Sequence, residues 1–367
     1  MKIGIITKHG IQNYGSFAQA YALQRTLEGL GHTVEIIDYK YPNAAHPSHL
    51  TMKARLLKAV NTALKNLLGL KGWRLNARYQ ACFRTYYRLS RPYPTVAALV
   101  ADPPQYDVYV SGSDQIWRPE LTNGDPMFFL AFAPRGAKRV ALASSFGCVT
   151  IPETLRAAYA AHLNAYDSLA VREASGVRLV KELTGRTATQ MIDPSMLLTG
   201  DEWRTVARPS TIRGRYVVCY GSKEKAAVNR LAHRYASAYG CRVVRIVGNF
   251  FDWFRRDERY VIDAGPREWM GLIAGAEMAF VGGSFHGTVF ATLFSVPFVT
   301  VLTGNADQDS RQLDLVRLLG TERCAVEAKA VDAVDFAEVR AALDFARINR
   351  RVGELRAEAM RFMREAL

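Results

Sequence analysis

The chain has 367 residues, 49% of them hydrophobic and 22% charged. That balance suits two folded domains and excludes a disordered, collagenous or coiled-coil chain. Lys and Arg number 48 against 34 Asp and Glu, giving a net charge of +14. The excess is local: the interval from Asp38 to Asp102 contains no other acidic residue, yet holds eleven Lys and Arg between Lys40 and Arg91.

In chain order, Ile3–Thr7 reads as a buried strand, followed by a loop through Asn13-Tyr14-Gly15-Ser16. The apolar stripe Phe17, Ala20, Tyr21, Leu23, Leu27 and Leu30 predicts a helix ending at Gly31, and Val34–Tyr39 predicts the next strand. This is a βαβ unit with its loop at the helix N-terminus. Residues 51–90 read as one or two basic helices with Leu56, Leu57, Val60, Leu64, Leu67 and Leu68 on one face. Strand–helix alternation resumes at Tyr106–Val110 and runs through Val140–Ala143, a helix near 153–165, Ser168–Val171, a helix near 174–184 and Gln190–Ile192. Pro209–Gly214 reads as a linker. A second α/β series begins at Tyr216–Tyr220 and continues through a helix at 223–238, Val243–Val247, a helix at 266–274, Met278–Val281, a helix at 287–294 and Pro297–Leu302. Helices near 310–319 and 334–365 close the chain. The rhythm predicts two doubly wound, Rossmann-like α/β domains, 1–208 and 209–330, with a terminal helical segment 331–367 that packs back on the first domain or forms a dimer interface.

Cys82, Cys148, Cys219, Cys241 and Cys324 are scattered and form no CxxC pair, so neither a disulfide framework nor a metal site is expected. The opening Met1–Ile6 lacks the features of a signal peptide, and the apolar stretch Met278–Leu302 is interrupted by glycines, His286 and Pro297. It reads as a buried α/β unit rather than a membrane span, and a cytoplasmic protein is expected.

In such folds ligands bind beyond the carboxyl ends of the strands. Four loops there carry chemistry. Gly282-Gly283-Ser284-Phe285-His286-Gly287-Thr288 follows a strand and opens a helix, placing an imidazole beside an anion-binding turn; a histidine that merely caps the helix is the competing reading. Asn13-Tyr14-Gly15-Ser16 holds the equivalent place in the first half and would either cap or bind. In Ser111-Gly112-Ser113-Asp114-Gln115-Ile116-Trp117, Asp114 and Gln115 are suited to hydroxyl groups, unless the loop is an Asx turn over a buried Trp117. Arg172-Glu173 ends a strand and would clamp a carboxylate or phosphate, or form only a surface pair. Asp193-Pro194 reads as a turn.

These motifs, in this order, resemble the polysaccharide pyruvyl transferase family. The resemblance also takes in Gln19-Ala20-Tyr21-Ala22-Leu23-Gln24 and Gly265-Pro266-Arg267-Glu268-Trp269, and its most specific part is the GSDQIW and SFHGTVF pair. It implies a GT-B-like pair of domains facing a cleft, and transfer of the pyruvyl group of phosphoenolpyruvate, a co-substrate rather than a bound cofactor, to a hydroxyl pair of a sugar or lipid-linked glycan. His286 would be the catalytic histidine. Arg172, Ser284, Gly287 and Thr288 would bind the donor, and Asn13, Tyr14, Gly15, Asp114 and Gln115 the acceptor. Many members carry arginine two residues before this histidine, where this chain has Ser284; Arg311 or Lys223 would then supply the missing charge. A nucleotide-sugar glycosyltransferase and an inactive binding subunit of glycan assembly are the alternatives. The basic segment would lie on an anionic membrane surface, or else form a helical insert with solvated charges; no nucleic-acid-binding motif accompanies it.

Overall fold

A computed structural model describes residues 1–41, 70–246, 259–261 and 263–367. Lys53, Arg55, Lys58 and Lys65, with the apolar stripe expected to face a membrane, lie outside the described residues. Two parallel sheets organise the rest. The first contains β1 (Lys2–Ile6), β2 (Thr33–Tyr39), β3 (Leu89–Tyr93), β4 (Val108–Ser111), β5 (Lys138–Ser144), β6 (Ser168–Val171) and β7 (Thr189–Gln190), in the order β3-β2-β1-β4-β5-β6-β7. The second contains β8 (Tyr216–Gly221), β9 (Arg242–Ile246), β10 (Arg259–Val261), β11 (Met278–Gly282), β12 (Phe298–Leu302) and β13 (Ala325–Glu327), in the order β10-β9-β8-β11-β12-β13.

The central strands are apolar almost throughout because helices cover both faces. Ile3, Ile5 and Ile6 of β1 and Phe280 of β11 have no exposed surface. The helix Tyr14–Gly29 starts where the Asn13 Oδ1 accepts the Ser16 N–H at 3.0 Å, and it buries Phe17, Ala20, Leu23 and Leu27. The helix Phe285–Leu293 is buried along its whole length. Pro209–Gly214 is irregular, as its composition predicts.

Several elements depart from the sequence expectation. The stretch read as helix up to residue 90 ends at Tyr86, and Leu89–Tyr93 joins the first sheet as an edge strand, a position where Pro92 costs no ladder bond. The strand expected over Gln190–Ile192 is only Thr189–Gln190; Asp193 instead opens a 3₁₀ turn by accepting the Ser195 N–H. The final helix is broken at Leu343, after which Asp344 caps Phe345–Ala366. That last helix buries Val352, Leu355, Ala359 and Met363, and its Arg356 donates to the carbonyls of Met196 at 3.1 Å and Leu198 at 3.3 Å, in the segment that follows β7. No described helix is long and apolar enough to cross a membrane. All five cysteines are free thiols.

Candidate active site

In each sheet the strand order reverses once, between β1 and β4 in the first and between β8 and β11 in the second. A crevice opens at such a reversal, beyond the carboxyl ends of the strands. The loops after β1 and β4 carry Lys8, Asp114 and Gln115, and those after β8 and β11 carry Lys223 and His286. The two crevices face each other, so the motifs of both halves meet at one place.

The contact is closest at Gly15. A Cβ there would fall 2.0 Å from the His286 Nδ1, so only glycine lets the first helix of one lobe rest on the imidazole of the other. His286 is 8% exposed. Its Nε2 lies 3.5 Å from the Asp193 Oδ2 and has no hydrogen-bond partner. Asp193 is the hub of the cluster. Its Oδ2 accepts from Arg172 Nη1 at 2.7 Å and from Ser113 Oγ at 3.3 Å, while its Oδ1 accepts from Ser195 N and Oγ at 2.9 and 2.6 Å. Burial alone would raise this carboxyl's pKa; the His286 imidazole, the Arg172 guanidinium and the Ser195 hydroxyl outweigh it and hold the group well below the usual carboxylate range.

Arg172 does not present its guanidinium to the crevice. It is 4% exposed, bonded to Asp193 and Ser145, paired with Glu173 at 3.4 Å and laid over the Phe285 ring. Arg172, expected from the sequence to capture the donor, thus has its fork already filled, and only Nε is unpartnered. Arg172, Glu173, Asp193, Phe285 and Arg311 line a cavity of about 20 Å³, about enough for one water.

On the first-lobe side, Asp114 takes a left-handed φ of 70°, accepts the Gln115 N–H at 2.8 Å on Oδ1 and the Ser16 hydroxyl on Oδ2. Its pKa is lowered: desolvation opposes, but the charges of Lys8 and His286, the Ser16 hydrogen bond and Arg172 prevail. With its carboxamide turned so that the oxygen faces Arg311, the orientation that satisfies both groups, Gln115 accepts from the guanidinium at 2.6–3.0 Å. Lys8 Nζ donates to the Gln115 backbone carbonyl at 3.0 Å, and Lys223 Nζ to the Gln308 side-chain oxygen.

Other expected site residues make contacts within and between the lobes. Asn13 is the helix cap already described. Tyr14 stacks on Trp269 at 4.9 Å with rings 2° apart, and its hydroxyl donates to the Ala264 carbonyl at 2.8 Å, joining the lobes. Ser284 caps its helix by accepting the Gly287 N–H at 3.2 Å. Gly287 is packed on Val281 and Tyr220, and the fully buried Thr288 hydroxyl meets Thr300 at 3.2 Å. The Gly287 amide, expected at the donor, is engaged by the cap, and the Thr288 hydroxyl faces the core. Reading the sequence by motif passes over Lys8 and Arg118, and takes Asp193 for a turn residue. A lysine directly after an apolar strand, in Thr7-Lys8, is the signal that would have found the first. The described residues hold no group of three or more His, Cys, Asp or Glu placed for a metal ion.

Comparison with solved structures places the fold. A protein described as a UDP-N-acetylglucosamine 2-epimerase, from Listeria monocytogenes, is similar over 97% of this chain and 90% of its own, with a TM-score of 0.52 at 8% identity. The UDP-GlcNAc 2-epimerase of Methanocaldococcus jannaschii (12% identity, 91% of this chain, 92% of its own) and the glycotransferase of kitacinnamycin (17%, 100% and 97%) each score 0.47. No curated protein sequence is found to match. The two parallel sheets and the first of these neighbours establish a two-domain Rossmann-like fold of the GT-B kind. The sequence pattern of the family described as polysaccharide pyruvyl transferase matches residues 13–305, from the cap of the first helix to the loop after β12. The chain therefore belongs to the polysaccharide pyruvyl transferase family and is a transferase.

Proposed function

We propose that the protein moves the pyruvyl group of phosphoenolpyruvate onto two hydroxyls of a glycan sugar, forming a ketal and releasing phosphate. The observation that carries this reading is the buried imidazole of His286, whose Nε2 lies 3.5 Å from a carboxylate that stays ionised. A carboxylate opposite an imidazole stabilises the ring while it holds a proton, which fits it to serve as a general acid. His286 gives its proton to the methylene carbon of the donor, which becomes the methyl group. The adjacent carbon turns electrophilic and accepts the oxygen of a sugar hydroxyl. Asp114, ionised and at the N-terminus of the loop that meets Ser16, binds that hydroxyl and receives its proton. The carbon–oxygen bond to phosphate breaks, and the second hydroxyl completes the ketal while its proton leaves with the phosphate. The acceptor is a sugar of a growing or lipid-linked glycan.

Turnover of phosphoenolpyruvate with sugar acceptors, followed by phosphate release and by the ketal methyl signal in NMR, tests the reading. His286→Ala is expected to lower kcat by about 10²–10⁴-fold. Near-normal turnover of that variant at saturating donor would exclude the role given to His286.

A further inference from the structure

Buried cations are normally paired with carboxylates, because an unpaired charge out of water is costly. Arg172 obeys this rule, whereas three nearby cations, Lys8 buried and Arg311 and Lys223 half-buried, have no carboxylate partner among the described residues. Lys8, only 6% exposed, rests on a backbone carbonyl; Arg311 rests on the Gln115 carboxamide, and Lys223 on the Gln308 carboxamide. Among the described residues none of the three has a carboxylate within ion-pair distance. A fourth cation, Arg118, comes from the same loop as Gln115 and pairs at 2.8 Å with Glu120, whose side chain is 59% exposed. The four arise from both lobes, in the loops after β1, β4 and β8 and in the helix Ala306–Leu319.

They also feel one another. Burial pushes the Lys8 ammonium below its usual pKa, Asp114 opposes this, and Arg118 and Arg311 add to the lowering. Burial and the same two arginines lower Lys223. Arg311 is brought down to about 10, by burial first and Arg172 next. Cations gathered against their own repulsion, and held by neutral dipoles, form a site that a multiply charged anion completes.

We infer that Lys8 and Arg118 of the first lobe, with Lys223 and Arg311 of the second, form a seat for a phosphate-ester dianion, and that the Gln115 carboxamide holds Arg311 until that anion arrives. This rests on the reading under Proposed function for the identity of the ester, but the seat itself needs only the phosphate.

The test is calorimetric titration of the full chain with inorganic phosphate, phosphoenolpyruvate and uridine diphosphate, at fixed low salt. Inorganic phosphate and phosphoenolpyruvate are expected to bind. Lys8→Met and Arg118→Ala should each weaken both by about tenfold or more, and Arg350→Ala, the loss of an exposed arginine elsewhere, should weaken neither. If the buried Lys8→Met variant fails to fold, Arg118→Ala decides alone, since its side chain is 20% exposed. Wild-type affinity in the two variants, or no phosphate binding by the wild type, overturns the seat. Uridine diphosphate binding more tightly than phosphoenolpyruvate, and weakened by the same variants, supports the seat while overturning phosphoenolpyruvate as donor. Pyruvyl transfer undiminished in both variants overturns the seat and leaves the function standing.

Discussion

Gly15 and His286 approach so closely that a single methyl group tests the site. In Gly15→Ala the new Cβ would enter the imidazole, and a ring displaced by about 1 Å costs about 10²-fold in rate. We expect kcat to fall by that order with circular dichroism unchanged. Asp193 offers a second test, through pH. Its folded pKa is depressed, so its contribution to stability is present above the unfolded value of about 3.9 and is lost as pH falls toward the folded one. Asp193→Asn, which breaks a buried pair, should cost about 3–5 kcal/mol near pH 7. The gap between the two urea midpoints should narrow below about pH 4, and a gap independent of pH would show that the carboxylate's charge is not what matters. At this scale, Arg311 and Lys223 came forward only as substitutes for a charge absent at Ser284, whereas the loops that carry His286, Asp114 and Gln115 were legible because each ends an apolar strand. Lys8 and Arg118 were not: a cation beside a strand looks solvated until the structure shows that its partner is a neutral carbonyl. For Arg172, nothing local reveals that Asp193, 21 residues on, already fills its guanidinium.

At the scale of elements, the loop-to-helix units do two jobs at once, fastening the helix and aiming a side chain. Ser284 fixes the start of Phe285–Leu293 and thereby the direction of His286. Ser284→Ala should remove about 1 kcal/mol of cap energy, read as a lower thermal midpoint, and Ser284→Arg should lose the same amount because arginine cannot accept the Gly287 N–H. The βαβ rhythm was readable from apolar runs and glycine punctuation. Its short edge strands were not. Leu-Ser-Arg-Pro-Tyr in β3 and Ala-Val-Glu in β13 carry too little apolar pattern to declare themselves, and they become strands only by pairing with β2 and β12.

At the scale of the whole molecule, the lobes touch through aromatic, ionic and backbone links spread over the length of the crevice. Tyr14 reaches Ala264, and Arg78 of the basic segment reaches the Asp263 carbonyl. Beyond them, the Val149 and Ala174 amides donate to Asp307 and Asp314 at 3.0 and 2.9 Å. The spending of Arg78 on the opposite lobe shows that part of the excess positive charge works inward, which composition could not reveal. The two-domain plan itself followed from the repeated α/β series and its irregular junction at Pro209–Gly214.

The helix Phe345–Ala366 is encoded after the second sheet but bonds, through Arg356, to carbonyls that follow the first. Chain order and spatial neighbourhood thus part company at this helix. Its Arg347 and Arg351 meanwhile donate to the Gly320 and Leu318 carbonyls of the second lobe, so these 22 residues clasp both halves, and a cut at Pro209–Gly214 would strip the first lobe of that clasp.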